Sequence, residues 1–172
     1  MKKQQLIKPR LEIEEVNAKV TPLSGRAFIY KVQEMLGKAQ NEVCVVQFQW
    51  RWYPQHPEYP LQQLNMGIYN QIKAGRKYRI IINSSRSSKN LSAINNRAER
   101  YLTEAGAKVK RGSNNIITHA KIFIIDDKYI ILGSHNLSHS ATMFNDEVSI
   151  LIENNEIVRE YKRYFETIWN RT

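Results

Sequence analysis

Residues 119–136, HAKIFIIDDKYIILGSHN, constrain this chain more than any other stretch. Two apolar runs, IFII and YIIL, flank Asp126-Asp127-Lys128, the pattern of a buried β-hairpin closed by a tight turn. Side chains two apart on a strand share a face, so His119 and Lys121 project together. The returning strand runs antiparallel and carries Gly133, Ser134 and Asn136 back beside the starting end. An imidazole, an ammonium, a hydroxyl and an amide therefore meet at one end of a rigid hairpin.

These groups suit an anionic phosphate. Lysine supplies charge, Ser134 and Asn136 supply hydrogen bonds, and a neutral imidazole can attack phosphorus. Gly133 lets backbone approach closely. The plain alternative is that His119 and Lys121 merely flank a strand, and the matching Gly-Ser-x-Asn at the far end argues against it. Asp126 lies at the opposite end of the hairpin and is expected to stabilise the turn.

The remaining chain alternates helices with apolar strands. Ser24 is expected to cap a helix over about 25–39, followed by a buried strand, EVCVVQFQW, at 42–50. A helix over about 61–74 ends at Gly75, and KYRIIIN at 77–83 is a second buried strand. SSRSSKNLS, 84–92, reads as a polar basic loop before a helix over about 93–104. Strands are expected at 107–110, 116–125, 129–133 and 148–152, and an apolar stripe from Ile157 to Trp169 marks a last helix over about 155–169. The expected class is α/β, a mixed β-sheet with helices on both faces. One domain is expected over 19–172, preceded by a basic arm or edge segment at 1–18.

Composition narrows the partners. The 172 residues carry 26 Lys and Arg against 16 Asp and Glu, a net charge of +10. That surplus favours a polyanion, either nucleic acid or an anionic membrane surface. The single cysteine, Cys44, excludes an internal disulfide and a cysteine-based metal site. No run approaches the length of a membrane span, and the basic start lacks the apolar core of a signal peptide, so a cytoplasmic location is expected.

The spacing His119-x-Lys121, four residues, Asp126, six residues, Gly133-Ser134-x-Asn136 resembles the HxK(x)4D(x)6GSxN signature of the phospholipase D superfamily. Glu147, eleven residues beyond Asn136, is similar to the family's downstream carboxylate, which orients the catalytic histidine. The wider resemblance runs over roughly 20–169. It implies a phospholipase D-like fold and a phosphohistidine intermediate, with a second histidine from a second motif protonating the leaving oxygen. It implies no metal and no cofactor. This chain holds one copy of the motif, since neither His135 nor His139 is followed two residues later by lysine. A symmetric homodimer would complete the site.

Nucleic acid, DNA or RNA, is the favoured substrate, with no stable membrane association. Arg86 and Lys89 in the polar loop suit backbone phosphates, and Trp52 in FQWRWYP could stack on a base. His135, at the variable position of GSxN, could line the edge of the site, although a packed or solvated role competes with that reading. Phe48, Trp50 and Trp52 alternate as on a strand, so packing beneath the sheet competes with stacking. A phospholipase acting on lipid head groups and a non-catalytic nucleic-acid-binding module of a larger restriction-type assembly are the alternatives.

Overall fold

The computed structural model describes residues 15–85, 88–113 and 115–172. Seven strands form one mixed sheet: β1 (Lys19–Ser24), β2 (Glu42–Gln47), β3 (Lys77–Ile82), β4 (Lys108–Arg111), β5 (Ile122–Ile125), β6 (Tyr129–Gly133) and β7 (Val148–Glu153). Their order is β1-β7-β6-β5-β2-β3-β4. β2, β3 and β4 run parallel, and the other neighbours pair antiparallel. Two helices, α1 (Ala27–Gly37) and α2 (Pro60–Lys73), precede the long α3 (Lys89–Ala105). A short α4 (His139–Met143) and the terminal α5 (Asn155–Asn170) complete the set among the described residues.

The apolar runs of the sequence become the middle of the sheet because strands covered on both faces need no polar side. Val43, Val45, Ile80, Ile82, Phe123 and Ile125 pack under α1, α2 and α3. Cys44, Val46, Ile81, Ile122 and Ile124 face the other way, against Val158, Phe165 and Ile168 of α5. Phe165 and Ile168 are both nearly fully buried, the expected outcome of the amphipathic stripe.

The hairpin forms as the sequence implies. Asp126 and Asp127 both take left-handed backbone angles, φ 53° and 52°. The Lys128 N–H donates to the Ile125 carbonyl at 3.1 Å, closing a tight turn with both central residues at positive φ, which aspartate tolerates better than most residues. Lys128 is one extra residue before Tyr129 pairs with Ile125. The Asp126 carboxylate then accepts hydrogen bonds from the backbone N–H groups of Gln40, Asn41 and Glu42 at 2.6, 2.7 and 3.1 Å. It ties the hairpin tip to the entry of β2.

Several local expectations shift. Residues 19–24 are a strand, β1, paired with β7, so Ser24 caps nothing; the chain turns at Gly25, at φ +50°, and α1 begins at Ala27. Helix α3 starts at Lys89, four residues before the expected boundary, because the Ser88 hydroxyl accepts from the Leu91 N–H at 3.2 Å and caps it. The strand expected over 116–125 is regular only from Ile122, and that expected over 42–50 ends at Gln47. Of the expected arm, residues 1–14 lie outside the described residues.

Candidate active site

β5 enters the sheet at the end where β2, β3 and β4 leave it, so the residues just before β5 lie beside the carboxyl ends of three parallel strands. His119 and Lys121 occupy that position. Lys121 is buried at its base, and its ammonium lies 3.1 Å from both His119 Nδ1 and His119 Nε2. It also donates to the His119 carbonyl oxygen at 2.7 Å. Phe48, in the bend after β2, sets its ring 4.8 Å from the imidazole in an edge-on contact and 5.4 Å from the ammonium. Burial and then the neighbouring Lys121 cation both push the His119 pKa below the ordinary histidine value. Burial likewise lowers Lys121, with Glu147 opposing. Both effects on His119 favour the uncharged imidazole, the form able to act as a nucleophile.

The returning strand brings up the other half. Gly133 sits against β7 so closely that a Cβ there would lie 2.5 Å from the Ser149 Cα and closer still to the Val148 carbonyl oxygen. Only glycine fits. The Ser134 N–H donates to the Val148 carbonyl at 2.9 Å, and its hydroxyl donates to a Glu147 carboxylate oxygen. The second Glu147 oxygen accepts from Asn145 Nδ2 at 3.3 Å. Glu147 thus binds Ser134 and Asn145, and among the described residues the expected carboxylate–histidine hydrogen bond is not made. Asn136 has its Oδ1 buried with no hydrogen-bond partner among the described residues.

His135 is not at the edge of the site. It points inward and is fully buried, its ring stacked 4.1 Å from Phe28. Its Nε2 faces the Gly25 carbonyl at 3.0 Å and must donate; Nδ1 then accepts from the Ser149 hydroxyl at 2.8 Å. It is a packed, neutral core histidine, its pKa lowered by burial. Trp52 is also corrected. It is 5% exposed and stacks on Tyr101 of α3 at 4.5 Å, so no base can reach its face. Lys89 is exposed in the first turn of α3, in a helix where a loop was expected. Arg86 lies outside the described residues.

Sequence reasoning missed the amides that hold the 48–53 bend in place. Asn95 of α3 accepts from the Trp50 N–H at 3.0 Å and donates to the Phe48 carbonyl at 2.9 Å. Asn65 of α2 accepts from Trp50 Nε1 at 2.8 Å and donates to the Arg51 carbonyl at 2.9 Å, and Gln62 accepts from the Tyr53 N–H at 2.8 Å. These three side chains fix Phe48 beside His119. In sequence they look like ordinary polar helix positions. Beyond Asn136, His139 opens α4 and stacks 3.7 Å from Tyr59, which in turn lies 4.6 Å from His56.

A family model described as "Cardiolipin synthase, PLD-like domain" matches residues 32–169. The chain belongs to the phospholipase D-like family. Its sequence is 34% identical over 77 residues to the mouse mitochondrial cardiolipin hydrolase, covering 45% of this chain and 35% of that protein. The chain thus spans about a third of the length of the curated relatives it matches. Among solved structures it is similar to Nuc, a phospholipase D family member from Salmonella typhimurium, with TM-score 0.72 and 20% identity over 90% of this chain and 95% of that one. It is also similar to NucT from Helicobacter pylori, with TM-score 0.68 and 20% identity over 90% of this chain and 97% of that one. At these identities the two structures establish the fold. No helix among the described residues is long and apolar enough to cross a membrane.

Proposed function

We propose that this protein is a metal-independent phosphodiesterase that cleaves DNA or RNA endonucleolytically, through a phosphohistidine formed on His119, in a site shared by two copies of the chain. The observation that carries the reading is the His119–Lys121 pair: an imidazole held 3.1 Å from a cation at the mouth of a buried hairpin, in surroundings that favour its uncharged form.

The chemistry follows from those groups. An imidazole nitrogen of His119 attacks phosphorus, forming a P–N bond as the bond to the leaving oxygen breaks. A proton must reach that oxygen, and a second imidazole, from the partner subunit's His119, supplies it. The same imidazole then takes a proton from water, which attacks phosphorus and releases His119. Lys121 and the Asn136 amide stabilise the charge that builds on the non-bridging oxygens. Ser134 and Glu147 form the rim, where the second subunit docks. Ile117, two residues before His119, and Val148, next to Glu147, are 73% and 66% exposed, and such a dimer would cover them. Gly133 and Asp126 serve the fold around the site.

The net charge of +10 favours nucleic acid, and Lys89 and Arg86 are proposed backbone-phosphate contacts. A second reading, hydrolysis of a lipid phosphodiester, is favoured by the cardiolipin hydrolases to which the chain is similar. The test is incubation with single-stranded DNA, duplex DNA, RNA and cardiolipin vesicles, all in EDTA. Cleavage of a nucleic acid that survives EDTA and disappears in His119→Ala supports the proposal. Cleavage of cardiolipin alone transfers it to the lipid reading.

A further inference from the structure

Gln47 is the last residue of β2 and is completely buried. Its backbone is spent, the carbonyl accepting from the Asn83 N–H at 2.9 Å. Its side chain is not: neither Oε1 nor Nε2 meets a hydrogen-bonding partner among the described residues. This sets it apart from Gln62, Asn65 and Asn95, amides of the same region whose side chains are bonded to the backbone of the 48–53 bend.

The strand register says what the free amide faces. In the antiparallel pair of β2 and β5, Val45 opposes Phe123 and Val46 opposes Ile122. β5 begins at Ile122, and extending the same register by one residue would set Gln47 opposite Lys121. Directly opposed residues share a face, with Cβ atoms about 5 Å apart. Val45 and Phe123, the preceding residues of that face, lie in the core beneath α1–α3. On that register the Gln47 side chain and the Lys121 stem, both buried, share one face of the sheet.

We propose that Gln47 is a positioning residue for Lys121, its amide oxygen accepting from the ammonium as that ammonium leaves the His119 ring to grip phosphate. The inference rests on the phosphodiesterase reading and deepens it. As the structure stands, the ammonium is folded onto the nucleophile, bonded to the His119 carbonyl and lying over the ring. To reach a non-bridging oxygen it must turn away, in a pocket where burial already disfavours its charge. A neutral acceptor on the adjacent strand holds it there without cancelling that charge. A carboxylate would hold it too, but would form an ion pair competing with the phosphate. An apolar residue would offer nothing. A buried amide without partners costs stability where leucine would not, and the cost is explained by a task leucine cannot perform.

The test compares full-length wild type, Gln47→Leu and Gln47→Glu on bis(p-nitrophenyl) phosphate in EDTA, a diester that carries neither base nor lipid. For Gln47→Leu we expect a fall in kcat of about ten- to a hundredfold, the loss that one hydrogen bond to a charged group carries, with KM little changed. Its melting temperature should be equal or higher. The alkaline limb of its pH profile should move to lower pH, since the ammonium loses an acceptor. In Gln47→Glu the same limb should move to higher pH, since a carboxylate holds the proton. Two outcomes overturn the role: wild-type kcat with an unmoved limb in both variants, or a loss in Gln47→Leu that tracks a lower melting temperature with the limb unmoved. If wild type itself leaves the diester intact, the phosphodiesterase reading fails and the role of Gln47 fails with it.

Discussion

The Lys121 ammonium lies 3.1 Å from both ring nitrogens of His119 and donates to the carbonyl oxygen of the same residue at 2.7 Å. Burial first and this cation second favour the uncharged form of the His119 imidazole. Burial at the end of the hairpin also strengthens the second effect, because a low-dielectric surrounding weakens screening.

Replacing Lys121 separates the two effects. Burial first and the Lys121 cation second depress the His119 pKa, so Lys121→Met removes the second cause and the pKa should rise toward the usual histidine value. A proton NMR titration of the His119 ring reads this directly, and an unmoved titration would rule out the cation as a cause. Activity should fall by roughly a hundred- to a thousandfold, the effect of losing one preorganised donor to a developing oxyanion.

Gly133 is expected to accept no side chain. The Cβ of Gly133→Ala would press on the backbone of Val148 and Ser149, which cannot yield as a flexible side chain could. A loss of about 1–3 kcal/mol is expected from such overpacking. Urea unfolding measures it, and an unchanged midpoint would contradict the close approach of β6 and β7.

Asp126 should matter for stability and not for turnover. Asp126→Ala leaves three backbone N–H groups, those of Gln40, Asn41 and Glu42, without their acceptor. The expected cost is about 1–3 kcal/mol. Well below the melting temperature, kcat should stay at the wild-type level. A selective loss of kcat in a stable Asp126→Ala protein would contradict its placement at the far end of the hairpin.

Acid should loosen the opposite end of the sheet. Burial tends to raise the Glu42 pKa, but hydrogen bonds from Arg79 and Lys162 prevail and hold it at about 2. A depressed carboxylate contributes stability that is present above its unfolded value, about 4.3, and lost as pH falls toward 2. The melting temperature of wild type should therefore drop across that window, and Glu42→Gln should drop less steeply. Parallel slopes would show that Glu42 is not the titrating group.

The hairpin was legible because its signals are local. Alternation places His119 and Lys121 on one face, two aspartates fit a tight turn, and the apolar runs imply burial. The terminal helix was legible for the same reason. What escaped depends on partners distant in the chain. Ser24 has the chemistry of a cap, yet pairing of β1 with residues 148–153 makes it strand. Trp52 looked available for a base until Tyr101, 49 positions later, covered its face. The bond between Ser134 and Glu147 follows from how β7 lies against the end of β6, which no spacing reveals. Phe48 shared in the reading of the aromatic loop, but its place beside His119 rests on Asn95 holding the bend.

The measurement that bears most directly on the shared site is the activity of a mixed dimer, one subunit wild type and the other His119→Ala, purified through two different tags. If one phosphodiester is cleaved between the two copies of His119, each supplying a different step, the mixed dimer should show no turnover above the His119→Ala homodimer. A mixed dimer with about half the activity of wild type would mean that each chain works alone, and would contradict the account.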